Sequence, residues 1–151
     1  MIAVIRVRGT ANVTGKLRMT LEMLRLFKVN HLVLVKEENL KMIEKVKDYV
    51  TYGPIDEATL SKLLEKRGRL EGNKRITPDF LKSKKIKDFD EMAKMIYSGK
   101  IKLKDLGLEL VFRMNPPKKG YERAGIKKAF NMGGALGNRG EKINAIILRM
   151  A

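Results

Sequence analysis

The stretch that decides the fold is Ile2-Ala3-Val4-Ile5-Arg6-Val7-Arg8-Gly9, at the start of the chain. β-Branched residues dominate this run and a glycine ends it, which is the pattern of a β-strand. Side chains alternate across a strand, so one face should carry Ala3, Ile5 and Val7 and the other Arg6 and Arg8. We therefore expect one face of the strand to pack on a core and the other to present positive charge.

Two further strands are predicted downstream, each of them after a helix. Thr14 can cap a helix over residues 15–28, and its buried stripe would consist of Leu17, Leu21, Leu24 and Phe27. A strand over residues 31–35 follows, and Asn39 can cap a second helix. The third strand runs into Gly53-Pro54, where proline ends it. The order of the elements is therefore β-α-β-α-β.

Helical patterns dominate the middle of the chain. Asp56, Thr77 and Asp88 each stand where a helix can begin, and Glu91 follows Asp88 at the spacing of a capping box. A strand pattern returns at residues 108–114, and a final apolar helix is expected after its cap, Asn138. We expect an α+β protein with a core at residues 1–56, a helical insertion at 57–105 and a basic C-terminal extension at 106–151 that packs back on the core as one globular unit.

The charge of the chain implies a polyanionic partner. The 33 Lys and Arg residues exceed the 17 Asp and Glu residues by 16, more than solubility requires. Residues 113–151 hold nine basic and two acidic residues, which leaves a net charge of +7 in less than a third of the chain. Glycines interleave these cations and would let backbone approach a sugar-phosphate surface closely. A flexible, solvated loop is the alternative explanation of this segment.

Several other functions find little support in the residues. The chain has no Cys and a single His, His31, so we expect no metal site, no cofactor and no thiol chemistry. The acidic clusters, including Asp88, Asp90 and Glu91, stand at predicted helix starts, where carboxylates stabilise the free N–H groups. Gly134, Gly137 and Gly140 lack the spacing of a nucleotide-binding loop. We expect no enzyme activity and no small-molecule substrate.

A membrane partner is not expected either. No apolar run approaches the ~20 residues of a spanning helix, and the N-terminus lacks a signal pattern. We therefore expect a soluble, intracellular protein. Aromatic residues make up only 6% of the chain, so stacking on single-stranded bases should not dominate its contacts with nucleic acid.

The candidate nucleic-acid contacts are the basic residues of the first strand, first helix, mid-chain loops and extension, with one asparagine. They are Arg6, Arg8, Lys16, Arg18, Arg25, Arg67, Arg69, Lys74, Arg75, Arg113, Lys118, Lys119, Arg123, Lys127, Lys128, Asn138 and Arg139.

Six stretches in this order resemble one known family over essentially the whole chain. They are Ile5-Arg6-Val7-Arg8-Gly9, the helix from Lys16-Leu17-Arg18 to Leu24-Arg25-Leu26, Tyr52-Gly53-Pro54, Lys66-Arg67-Gly68, Pro116-Pro117-Lys118-Lys119-Gly120, and the run from Gly133-Gly134-Ala135 through Gly137-Asn138-Arg139-Gly140 to Asn144. Together they resemble the archaeal form of large-subunit ribosomal protein thirty, whose eukaryotic counterpart is protein seven.

The resemblance implies a βαβαβ core with an antiparallel three-stranded sheet, somewhat ferredoxin-like, to which the bacterial members are confined. It also implies a structural role in the large ribosomal subunit, in the cytoplasm, with large-subunit ribosomal RNA and neighbouring ribosomal proteins as partners. The long basic N-terminal arm of the eukaryotic members is not found before the first strand, so an archaeal source is expected.

Two rival functions remain open at this point. A free-standing nucleic-acid-binding or RNA-chaperone protein would use the same charge. An RNA-processing enzyme could use one of the carboxylate clusters, such as Asp88, Asp90 and Glu91.

Overall fold

The computed structural model describes residues 1–11, 13–84 and 86–151. Its strands are β1 (Ile2–Arg6), β2 (His31–Val35), β3 (Val50–Pro54), β4 (Val111–Arg113) and β5 (Gly137–Asn138). Its helices are α1 (Gly15–Met23), α2 (Leu40–Lys45), α3 (Glu57–Arg67), α4 (Pro78–Ser83), α5 (Phe89–Tyr97) and α6 (Ile143–Met150). The predicted α+β class and the β-α-β-α-β order of the first part are confirmed.

The sheet has five strands in the order β4-β2-β1-β3-β5, so the expected three-stranded sheet is wrong. Its inner three strands, β2, β1 and β3, do pair antiparallel. The C-terminal extension supplies the outer two, with β4 antiparallel to β2 and β5 parallel to β3. The unpaired edges of a three-stranded sheet expose backbone N–H and C=O groups, and the short outer strands cover both edges.

Helices cover both faces of the sheet, which corrects the prediction of one charged face. Ala3 and Ile5 of β1 join a core with α3, α5 and α6. Ile2 and Val4 join a second core with α1 and α2. Residues 2–6 are consequently all buried. A central strand that is buried on both faces has a nearly continuous apolar sequence, and here Arg6 is its one charged residue.

Arg6 lies inside this second layer and not on a surface. Its side chain is 3% exposed, and its Nη1 donates to the carbonyls of Leu26, at 2.5 Å, and Phe27, at 3.0 Å. Its Nε donates to the carbonyl of Arg8 at 2.9 Å. Burial lowers the pKa of Arg6 from its ordinary value. The nucleic-acid contact at Arg6 stays a prediction that this burial disfavours, because its Nη1 and Nε are bonded to backbone carbonyls of the protein.

Helix α1 ends five residues earlier than its apolar spacing predicts, at Met23 instead of residue 28. Arg25 has a φ of 59°, in the left-handed region that a helix cannot continue through. The N–H of Arg25 donates to Glu22 O and that of Leu26 to Leu21 O, both at 2.8 Å, which is the Schellman pattern of helix ends. Phe27, expected in the buried stripe, is consequently 53% exposed.

The remaining predicted elements are found with shifted ends. α3, α4 and α5 begin directly after Asp56, Thr77 and Asp88, as expected. Residues 108–114 form only the short strand β4, while Leu108 bridges to Leu70. Asn138 does not cap α6, since a 3₁₀ turn over Gly140–Lys142 intervenes and the Asn138 Oδ1 accepts from the N–H of Gly140. The division of the chain into three segments remains a prediction.

A buried ionic cluster holds the C-terminal extension on the sheet. Arg139 is 5% exposed and donates from Nη1 and Nη2 to the two carboxylate oxygens of Glu122. Its Nε donates to Thr51 Oγ1 of β3 at 2.9 Å, and its guanidinium lies 4.7 Å from the ring centre of Phe130. The nucleic-acid contact at Arg139 likewise stays a prediction that the structure disfavours, because all of its guanidinium nitrogens are bonded within the protein.

The glycine at position 53 lets the turn before α6 approach β3 closely. A Cβ atom built at Gly53 would lie 2.3 Å from Gly140 O and 3.1 Å from Ile143 Cβ. Gly53→Ala should therefore lower the free energy of unfolding by about 1–3 kcal/mol, because the backbone at Gly140 must move. Thermal denaturation measures the loss, at roughly 2–4 °C per kcal/mol. Gly15→Ala is the control, since nothing lies within 4 Å of a Cβ there; equal melting temperatures for the two variants would contradict the prediction.

The Arg139–Glu122 pair should make the stability of the extension depend on acid. The hydrogen bond from Arg139 lowers the pKa of Glu122 below its ordinary value of 4.5, against an opposing effect of burial. A carboxyl whose folded pKa is depressed stabilises the fold above its unfolded pKa, and that contribution is lost as pH falls through the folded pKa. Glu122→Gln should cost about 1–3 kcal/mol at pH 7 and progressively less below about pH 4.

Thermal melts of the wild type and Glu122→Gln over pH 2–7 measure this difference. Glu65→Gln, on the exposed side of α3, is the control and should track the wild type throughout. A difference between wild type and Glu122→Gln that stays constant with pH would show that the ion pair is not its source.

Candidate nucleic-acid interface

Most of the predicted contact residues are exposed, and they come from separate segments of the chain. Arg8, Arg67 and Arg69 are half-buried. The exposed residues are Lys16, Arg18, Arg25, Lys74, Arg75, Arg113, Lys118, Lys119, Arg123, Lys127, Lys128 and Asn138. Arg6 and Arg139 are the two that the fold withdraws from solvent. Whether the exposed residues bind RNA remains a prediction.

One group of cations lies on a turn that the last helix holds in place. The backbone N–H of Lys118 donates to Arg149 O at 3.1 Å, and Arg149 Nε donates back to Lys118 O at 2.9 Å. Arg149 Nη2 also donates to Gly120 O. These bonds tie the turn to α6, while the side chains of Lys118 and Lys119 point to solvent. Arg149 was not among the predicted residues, because its role is to orient a backbone and no sequence pattern marks that role.

The basic segment that follows is a folded loop and not an extended tail. The N–H groups of Gly134, Ala135 and Leu136 donate to Ala129 O, Gly125 O and Lys128 O at 2.9–3.2 Å. A Cβ atom at Gly134 would lie 2.1 Å from Lys128 O, so the close return of the chain requires glycine there. The loop consequently holds the backbone that carries Lys127 and Lys128, both of them exposed.

This loop adjoins the start of β3 and brings cations of the core and the extension together. A cavity of about 360 Å³ is lined by Lys47 and Asp48 from the core and by Lys127 and Asn138 from the extension. Arg8 joins the same region, since its Nη1 donates to Asp48 O at 3.2 Å and its guanidinium lies 5.1 Å from the Tyr49 ring. Lys47 is an exposed cation that no sequence motif marked.

A second cavity, of about 530 Å³, lies at the β4 edge of the sheet. Arg25, Phe27, His31, Lys104 and Arg113 are among its lining residues. His31 and Arg113 are direct partners across β2 and β4. The pKa of His31 is lowered by burial and then by Arg113, Lys28 and Arg6, so its imidazole is neutral at pH 7. Phe27 and Lys104 were missed, the first because its helical spacing assigned it to the core.

Another basic segment is the loop after α3. Arg69 and Arg75 bridge each other as antiparallel partners, and Leu70 bridges to Leu108 beside the second cavity. The exposed Lys74 and Arg75 therefore extend from a loop that is fastened at its base.

The acidic candidates lie at the start of a helix. Asp88, Asp90 and Glu91 lie at the start of α5, and Glu91 Oε2 accepts from the backbone N–H of Lys87 at 2.8 Å. In the part of the chain that the structure describes, no group of three or more Asp, Glu or His residues could hold a metal ion. Among the same residues, no helix is both long enough and apolar enough to span a membrane.

Comparison with known proteins matches the chain to one family over nearly its full length. Residues 2–50 match the family model described as Ribosomal protein L30p/L7e. Proteins named large ribosomal subunit protein uL30 are similar to it: that of Methanococcus maripaludis is 51% identical over 150 residues, which cover 98% of this chain and 97% of the relative. That of Nanoarchaeum equitans is 49% identical over 151 residues, which cover 99% of this chain and 97% of the relative. That of Methanocella arvoryzae is 44% identical over 154 residues, which cover 99% of this chain and 99% of the relative. The chain belongs to the uL30 family.

Proposed function

We propose that this chain is a structural constituent of the large ribosomal subunit that binds and stabilises ribosomal RNA. The observation that carries the proposal is its full-length similarity to proteins named large ribosomal subunit protein uL30. The net charge of +16 on 151 residues supports it, because a polyanion is the partner that such a charge fits. In this role the chain works in the ribosome, in the cytoplasm, beside other ribosomal proteins.

The proposed RNA surface consists of the exposed and half-buried members of the predicted set, without Arg6 and Arg139. Its strongest part is the extension, where Lys118, Lys119, Lys127 and Lys128 project from segments whose backbones are bonded to the rest of the protein. Cations on a held backbone lose less conformational entropy when they bind phosphates than cations on a free tail would. The three segments at residues 1–56, 57–105 and 106–151 would act together in this way as one unit.

A scaffolding role without catalysis fits this surface. Phosphate contacts position a protein on RNA and need cations and donors, but no acid–base pair. A free-standing RNA chaperone would use the same cations, and sedimentation separates the two functions. A ribosomal constituent stays with the large subunit through a moderate-salt wash, whereas a free-standing binder moves to the soluble fraction.

Binding to large-subunit ribosomal RNA should depend strongly on salt. If about six to eight basic residues contact phosphates, the affinity should fall roughly a thousandfold or more between about 50 and 200 mM salt, because each contact releases counterions. Filter binding of the purified chain to that RNA over this range measures the slope. A slope near zero would sink the proposed phosphate surface.

Removing two cations of the extension should lower the salt slope by about 1.4–1.8, since each phosphate contact contributes about 0.7–0.9. Lys127→Gln with Lys128→Gln is the test variant. Lys41→Gln with Lys45→Gln is the matched control, because both lysines are exposed on α2 and the net charge falls equally. Equal losses in the two double variants would indicate a response to net charge and not to this surface.

A further inference from the structure

The cavity at the β4 edge combines features that phosphate binding alone does not require. Its volume of about 530 Å³ lies within the range of about 300–1,000 Å³ that is typical of ligand sites. Cations, carboxylates, a neutral imidazole and an aromatic ring all line it. A surface that only neutralises phosphates needs the cations and none of the other groups.

The aromatic ring belongs to Phe27, and 53% of this residue is exposed. Leu24 and Leu26, which precede it, are 8% and 0% exposed, so the chain is anchored in the core up to the residue before Phe27. The carbonyl of Phe27 is held by Arg6 Nη1 at 3.0 Å, which fixes the backbone from which the ring projects. An exposed aromatic ring on a fixed backbone is a stacking platform for a nucleic-acid base.

The backbone of Arg25 lies in the left-handed region, which favours glycine. It is the left-handed residue of the Schellman turn after α1, with a φ of 59°, where glycine is the usual occupant. Arginine is strained there, and its exposed side chain makes none of the bonds that end the helix. Strained positions of this kind cluster at functional sites, because the side chain is needed where the backbone places it. This arginine lines the cavity beside Phe27.

The lining of the cavity also carries carboxylates, which suit the edge of a base. Glu109 Oε2 lies 3.6 Å from Arg113 Nη2, and Glu71 is a further lining residue. Carboxylates repel phosphate, but they accept hydrogen bonds from the amino groups of bases. The lining is therefore more suited to a base than to a second phosphate.

We propose that this cavity receives one unpaired nucleotide of RNA. Its base stacks on Phe27, and Arg25 and Arg113 bind the phosphates on either side of that nucleotide. The inference rests on the proposed RNA-binding function and adds a contact to a single-stranded nucleotide. RNA is commonly recognised at bulges and loops, where an unstacked base reaches an aromatic side chain. The cavity lies at the edge of the sheet, and residues of β4 and of the turn after α1 are part of its lining.

The test compares two RNA hairpins that differ only by one unpaired adenosine in the stem. The full-length protein should bind the bulged hairpin about tenfold more tightly than the plain one in fluorescence anisotropy, the lower part of the range for one stacked base. Phe27→Leu should abolish this preference and leave the affinity for the plain hairpin unchanged. Phe27→Tyr should retain the preference, because the ring is kept.

Tyr97→Ala is the matched control, since Tyr97 is an aromatic residue, 42% exposed, on α5 and outside this cavity. It should leave the preference intact. Equal wild-type affinity for the two hairpins overturns the base site while the proposed function stands. Failure to bind either hairpin at low salt counts against both. A preference that survives Phe27→Leu also overturns the site, and the exposed ring would then serve a protein neighbour.

Arg25→Gly separates the effect of the strained backbone at this position on stability from the effect of the arginine side chain on RNA binding. Glycine relieves the left-handed strain, so the variant should melt a few degrees higher than the wild type, roughly 2–4 °C. The same variant should bind the bulged hairpin several-fold more weakly, because the phosphate contact is gone. A gain in stability with no loss of binding would remove Arg25 from the site.

Discussion

The buried guanidinium of Arg139 is the interaction on which the arrangement of the extension depends. It joins Glu122, Thr51, the carbonyl of Ala135 and the ring of Phe130, and so connects three parts of the extension to β3. Arg139 follows β5 directly, so its bond to Thr51 of β3 holds the end of β5 beside β3. A charge buried with all its partners is costly to break, since removing one partner leaves the others unsatisfied. The buried Arg139 therefore holds the segments that carry the exposed lysines of the extension.

Local sequence patterns predicted where the helices and strands lie better than they predicted which side chains are buried. The starts of α1, α3, α4 and α5 were readable because the residues that favour helix starts lie directly before them, although none of those side chains makes a capping hydrogen bond here. The burial of Arg6 and Arg139 was not readable, because most of their partners are carbonyls and side chains 17 to 88 residues away. The two outer strands are three and two residues long, too short for periodicity, and they exist only because a sheet edge lies beside them.

The candidate surface was predicted from the positions of basic residues, and the structure shows which of these residues are exposed and which are buried. Most of the lysines and arginines proved exposed because nothing in the core can satisfy them, so composition was a fair guide. Phe27 was missed because helical spacing suggested a longer α1. The left-handed turn at Arg25 lacks the glycine that usually marks the end of a helix in a sequence. The family model covers residues 2–50 alone, whereas the relatives align over nearly the whole chain. The cavity at the β4 edge combines residues from both sides of that boundary.

Closing both sheet edges with the last third of the chain has a consequence for the order of folding. β1, β2 and β3 are complete at Pro54, but their covers, β4 and β5, are made only at residues 111–113 and 137–138. At a synthesis rate of about 5–20 residues per second, the nascent sheet keeps an open edge for on the order of ten seconds. During that time its hydrogen-bonding groups are accessible to any other extended chain. In a protein built in this way, the edges of the central sheet become covered only after residue 138 has been made.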